Sequence, residues 1–159
     1  MSYNTLLYGD SLVNININNL KDFDFEIASY PGHTTEDLIN LDKKGIGLSY
    51  LLEINKYKAV IICAGINDST VVHSDIIDNL HYLYKICQDY GIKVIGVFLP
   101  NNDEFNLELE TNTGEDIDFN EFFLTAKPEH FGEDKLHLNN FGKQEFLKSI
   151  KRTLFQNFA

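Results

Sequence analysis

The chain has 159 residues, with 24 Asp and Glu against 13 Lys and Arg, a formal net charge of -11. Hydrophobic residues make up 43% and charged residues 23%, the balance of a soluble globular protein, and the length suits one domain over 1–159. Acidity of this size argues against nucleic acid and anionic membranes as partners, because both recruit Lys and Arg patches. In chain order, Thr5-Leu6-Leu7-Tyr8 is a brief apolar run closed by Gly9, the pattern of a buried first strand. Phe25 to Tyr30 predicts a second strand, closed by Pro31-Gly32. Thr34 with Asp37 three residues on reads as a helix capping pair, with Leu38, Ile39 and Leu41 on the apolar side. Leu48, Leu51, Leu52 and Ile54 predict another helical stretch.

Lys58 to Ala64 is continuously apolar after its first residue, as expected of a parallel strand covered on both faces. Ile76, Ile77, Leu80, Leu83, Tyr84 and Cys87 recur at helical spacing, and Gly91 stands where that helix stops. Lys93 to Leu99 predicts a further buried strand, and Leu147, Ile150, Leu154 and Phe158 a final helix of mildly basic character. Strands alternating with helices give an α/β sandwich on a parallel sheet. Between Asn101 and Asp134 two readings stand. A hairpin across Asn112-Thr113-Gly114 fits the alternation of Phe105, Leu107 and Leu109 with polar residues. A helix from about Asp103 followed by a strand at Asp116 to Phe119 fits as well, and a parallel sheet requires such a crossover.

Cys63 and Cys87 lie in apolar company with no second cysteine nearby, so both read as buried thiols rather than as a disulfide, metal or redox pair. No basic leader and no apolar run of membrane-spanning length is present, so a cytoplasmic setting is expected.

Three short segments fall just past the carboxyl ends of predicted strands, the edge at which open parallel sheets bind ligands. In Gly9-Asp10-Ser11-Leu12 a serine on a tight turn can present its hydroxyl and backbone N–H; it can equally be an ordinary helix cap. Gly65-Ile66-Asn67-Asp68 offers an amide N–H to an oxyanion, or a simple polar turn. In Asp134-Lys135-Leu136-His137 the carboxylate can bond the imidazole Nδ1–H and leave Nε2 free to take a proton; otherwise the histidine is incidental. Together they supply nucleophile, base, base-orienting carboxylate and oxyanion donor.

These segments, with Gly32 in Pro31-Gly32-His33-Thr34-Thr35, resemble the four blocks of the SGNH hydrolases, also called GDSL esterases and lipases, in the family's order and across nearly the whole chain. His137-Leu138-Asn139-Asn140-Phe141-Gly142 is similar to the family's continuation after its histidine. The resemblance implies a three-layer α/β/α, flavodoxin-like fold with five parallel strands. It implies Ser11 as nucleophile, His137 as general base and Asp134 as its orienting partner. The oxyanion hole would comprise the Ser11 and Gly32 backbone N–H groups and the Asn67 side chain. Asp10 and Asp68 would hold their loops. Leu12, His33, Ile66 and His130 are candidates for pocket lining. No G-x-S-x-G elbow occurs. His33, His73, His81 and His130 lack metal-ligand spacing and nothing else clusters with them, and the mechanism needs neither metal nor cofactor.

The expected activity is hydrolysis of small, short-chain acyl esters, such as an acetylated sugar or alcohol, through an acyl-enzyme on Ser11. The short stretch between Ser11 and Gly32, containing Val13 to Asn19, suggests a shallow, open acyl site. An acyltransferase would use the same acyl-enzyme, and a non-catalytic binding domain could keep the fold. A nucleotide-binding role has no Gly-rich phosphate loop behind it.

Overall fold

The computed structural model describes residues 4–15 and 24–158, so most of the Val13 to Asn19 stretch lies outside the described residues. Five strands, β1 (Asn4–Gly9), β2 (Asp24–Ser29), β3 (Ala59–Cys63), β4 (Lys93–Val97) and β5 (Asp118–Asn120), form one sheet in the order β2-β1-β3-β4-β5. Every pairing is parallel. This is the flavodoxin-like order, and the three-layer α/β/α architecture follows from which way the strand residues point.

Leu6 and Tyr8 of β1, Val60 and Ile62 of β3 and Val94 of β4 face one layer. There they meet α1 (Thr35–Lys43), α2 (Leu48–Ile54), α3 (His73–Asp89) and α4 (Asp103–Asn112) through Leu38, Leu48, Leu80, Leu83 and Phe105. Leu7, Ile61, Cys63, Ile95 and Val97 face the opposite layer and pack on α5 (Phe122–Thr125) and α6 (Asn140–Phe158) through Phe122, Phe146, Leu147, Ile150 and Leu154. Successive residues of a strand point to opposite faces, so strands buried on both sides read as near-continuous apolar runs.

α1 opens with the reciprocal cap read from the sequence. Asp37 donates its backbone N–H to Thr34 Oγ1 at 3.1 Å, and the Thr34 N–H is accepted by the Asp37 carboxylate at 3.0 Å. The ambiguous segment resolves as helix α4 and strand β5, not as a hairpin. Phe105 and Leu109 lie one turn apart on the buried side of α4, and β5 runs parallel to β4, which a hairpin connection cannot deliver. Cys63 and Cys87 are both buried free thiols. Among the described residues no helix is long and apolar enough to cross a membrane.

Candidate active site

β1 and β3 flank the point where the strand order reverses, and their carboxyl ends open a crevice there. β1 ends at Gly9, whose φ is 153° and where any Cβ would collide with the Cys63 carbonyl oxygen of β3. Only glycine brings the two backbones this close. The next residue uses the same neighbour: the Asp10 N–H donates to the Cys63 carbonyl at 3.1 Å. The buried Asp10 side chain accepts the Leu12 N–H at 2.9 Å, and its own carbonyl accepts the Ser29 hydroxyl at 2.9 Å. Ser11 thus starts one tight 3-10 turn, Ser11–Val13, with its side chain directed at the last loop.

That loop is built around one carboxylate. Asp134 Oδ1 accepts the backbone N–H groups of Leu136 and His137, both at 2.9 Å, while Oδ2 lies 2.5 Å from His137 Nδ1. The Gly132 N–H donates to the His137 carbonyl at 2.8 Å and closes the loop. An ionised carboxylate only accepts, so Nδ1 carries the proton and Nε2 is the basic nitrogen. Nε2 sits 2.8 Å from Ser11 Oγ. The imidazole hydrogen bond, followed by the two backbone N–H groups, holds the Asp134 carboxyl down at about 2, so it remains ionised at any ordinary pH. The His137 and Asp134 side chains are 49% and 51% exposed, which makes the site open to solvent.

The oxyanion candidates come from the other two segments. Gly32, with φ of 78°, follows Pro31 in a turn closed by the His33 N–H to the Tyr30 carbonyl at 3.1 Å. Asn67 donates one Nδ2 hydrogen to the His33 carbonyl at 3.0 Å, which aims the amide and leaves its second hydrogen available. Among the described residues the Ser11 and Gly32 backbone N–H groups take no hydrogen bond.

The four candidate lining residues fall into two pairs. Leu12 is buried in the core on the α6 side, and His130 is held in its own turn. His130 Nδ1 accepts the Lys127 N–H at 2.8 Å, and its ring stacks on Phe141 with centroids 5.1 Å apart. His33 and Ile66 are half-buried beside Gly32 and Asn67, with the His33 ring against Tyr30 at 5.6 Å.

One expectation is corrected. His73 does cluster with acidic groups: it meets Glu104 and Glu108 across the α3–α4 seam, with one ligand-type atom of each within 4.8 Å of the others. Its Nδ1 lies 2.6 Å from Glu108 Oε2. Sequence spacing misses this group because the fold, not the local chain, brings α3 and α4 together.

Also illegible in the sequence are Asn101 and Lys135, whose φ values of 54° and 59° place non-glycine residues in the left-handed region. Both border a cleft of about 470 Å³ beside the Asp134–His137 loop, with Ala126, Pro128 and Phe131 as its apolar wall. A larger cavity of about 600 Å³, lined by Glu110, Glu115, Asp118 and Glu121, includes none of the site residues.

No family model and no curated protein matches the sequence. Solved structures do. The psychrotrophic esterase EstA of Pseudoalteromonas sp. is 22% identical over 95% of this chain and 98% of its own, with a TM-score of 0.68. A GDSL-like lipase of Bacteroides thetaiotaomicron is 17% identical over 97% of this chain and 88% of its own, at 0.78. The acetylxylan esterase Axe2 of Geobacillus stearothermophilus is 14% identical over 94% and 93%, at 0.74. The fold of this chain is that of the SGNH, or GDSL, hydrolases.

Proposed function

We propose that this chain is a serine esterase of the SGNH type, acting on small, short-chain acyl esters. The observation that carries the reading is the unbroken hydrogen-bonded relay from Ser11 Oγ through His137 to Asp134 at the sheet's switch point. The neighbouring acetylxylan and other esterases on the same fold support it.

In this reading Ser11 Oγ attacks the ester carbonyl carbon as His137 Nε2 takes the hydroxyl proton. Asp134 keeps the imidazole in the required tautomer and balances its charge. The carbonyl oxygen becomes an oxyanion and meets the Ser11 and Gly32 N–H groups and the free Asn67 N–H. Collapse breaks the bond to the alcohol oxygen, which leaves with the proton from His137, and the acyl group stays on Ser11. Water then attacks, His137 again takes the proton, and the acid departs as Ser11 recovers it. The half-exposed triad and the modest cleft beside it suit a short acyl group better than a long chain.

The test is p-nitrophenyl esters of graded chain length on wild type and Ser11→Ala. Ser11→Ala is expected to lower kcat/KM at least about 10⁴-fold, with acetyl and propionyl esters the best substrates of wild type. Unchanged hydrolysis by Ser11→Ala overturns the mechanism; a preference for long chains overturns the substrate class.

A further inference from the structure

We infer that Asp68 is a positioning residue that sets the spacing between the Gly32 and Asn67 oxyanion donors. The inference rests on the esterase reading for its consequence, but its geometry stands separately. Asp68 is 2% exposed, and it reaches back across the crevice to the segment after Gly32. Its carboxylate accepts the Thr35 N–H at 3.0 Å and the Thr35 hydroxyl at 2.5 Å. Thr35 is itself fully buried, and its oxygen accepts Asn79 Nδ2 at 3.0 Å. With that lone pair engaged, the threonine hydroxyl hydrogen points to Asp68.

The adjacent residue makes a matching contact, since Asn67 Nδ2 donates to the His33 carbonyl. Residues 67 and 68 are therefore fastened to residues 33 and 35, and Gly32 lies one position from the fastening. Neither segment reaches the other through backbone pairing: β2 and β3 both pair with β1 and not with each other. The spacing of two of the three oxyanion donors is thus left to side-chain bonds, and Asp68 makes the most buried of them. No hydrogen bond joins Asp68 to Ser11 or His137 among the described residues, so its influence on the reaction runs through Gly32 and Asn67.

Oxyanion geometry is unforgiving: a misplacement of about 1 Å can lower a rate about 10²-fold. Three variants test the idea on p-nitrophenyl acetate, with kcat normalised to folded protein by thermal unfolding. Asp68→Ala and Asp68→Asn are expected to lower kcat about 10- to 100-fold while KM changes less than about twofold, because ground-state contacts with a small ester are few. Thr35→Ser, which keeps the hydroxyl and the N–H, is expected to stay near wild type. Lower stability with kcat per folded molecule unchanged makes Asp68 merely structural and overturns the inference. So does an equal effect of Thr35→Ser.

A second readout needs no turnover. In the Ser11→Ala background, Asp68→Asn is expected to speed amide exchange at residues 33–35 and to shift the Asn67 side-chain amide resonances. Unchanged exchange and resonances overturn the positioning role whether or not the protein is an esterase. Failure of the esterase reading shows instead as hydrolysis that ignores Ser11→Ala.

Discussion

Asp10 and Asp134 stand at the same site and titrate in opposite directions. Burial, as the dominant cause, pushes the Asp10 carboxyl up from 3.8 to about 6, against the opposing pull of the Leu12 and Ile66 N–H groups. Between about pH 4 and 6 the folded chain therefore holds a proton that the unfolded chain releases, so this residue's contribution to stability falls as pH rises through that window. Above it the ionised, buried carboxylate destabilises by up to about 3 kcal/mol. Asp10→Asn is expected to flatten that part of the profile, read by urea unfolding from pH 4 to 7; an unaltered slope rules Asp10 out as its source. Asp134 works the other way. Its contribution is present above about pH 4 and is lost only as pH falls towards 2, so it stays ionised throughout any practical assay. Asp134→Asn is expected to lower kcat about 10⁴-fold at every pH from 6 to 9 through loss of the tautomer it enforces. Asn67→Ala, which removes one of the three donors of the proposed oxyanion hole, is expected to cost about 10²- to 10³-fold in kcat. The Asp134–His137 contact was legible in the sequence because a carboxylate three residues before an imidazole can close on it locally. The His73–Glu104–Glu108 group was not, since its members converge only through helix packing.

At the scale of elements, β1 and β3 were readable because a strand covered on both faces is mostly apolar, and their burial is complete or nearly so. The capping pair Thr34 and Asp37 marked the start of α1 for a local reason, the orphan N–H groups of its first turn. β5 was harder: it has three residues, one of them exposed, and holds a single partner at the sheet edge. Only the demand for a parallel crossover separated it from half of a hairpin. Two substitutions test the packing that these elements create. Gly9→Ala forces a Cβ into the Cys63 carbonyl and is expected to destabilise by several kcal/mol, in the class of overpacked strained sites. Phe146→Ala empties the centre of the α6 layer, where the ring packs between Phe122 and Phe123, and is expected to lose about 3–5 kcal/mol in denaturant unfolding. A loss under 1 kcal/mol in either would mean that this part of the core is not packed as described.

Over the whole molecule the charge of -11 is unevenly spread. Residues 103–134 carry eleven carboxylates and one lysine, while α6 carries Lys143, Lys148, Lys151 and Arg152 against Glu145 alone. The acidic stretch leads into the loop that holds Asp134 and His137, so on the proposed esterase mechanism a substrate approaching Ser11 does so through a negative field. Matched neutral and anionic acetyl esters are expected to differ in kcat/KM in favour of the neutral one at low ionic strength. The gap should narrow as salt shortens the reach of the field to about 8 Å. Equal turnover at low salt would show the field to be too weak at the site to matter. The fold gathers these segments at one edge: three of the four sit at the ends of strands, and the last lies in the loop before α6.

The contact between Ser11 and His137 joins residues 126 positions apart. Closing so long a loop is entropically late, and the two ends meet only after β1, β3 and the α6 layer have assembled. On the proposed mechanism, reactivity at Ser11 is therefore a clock for completed folding. Refolding followed by fluorophosphonate capture should lag behind the recovery of helical circular dichroism.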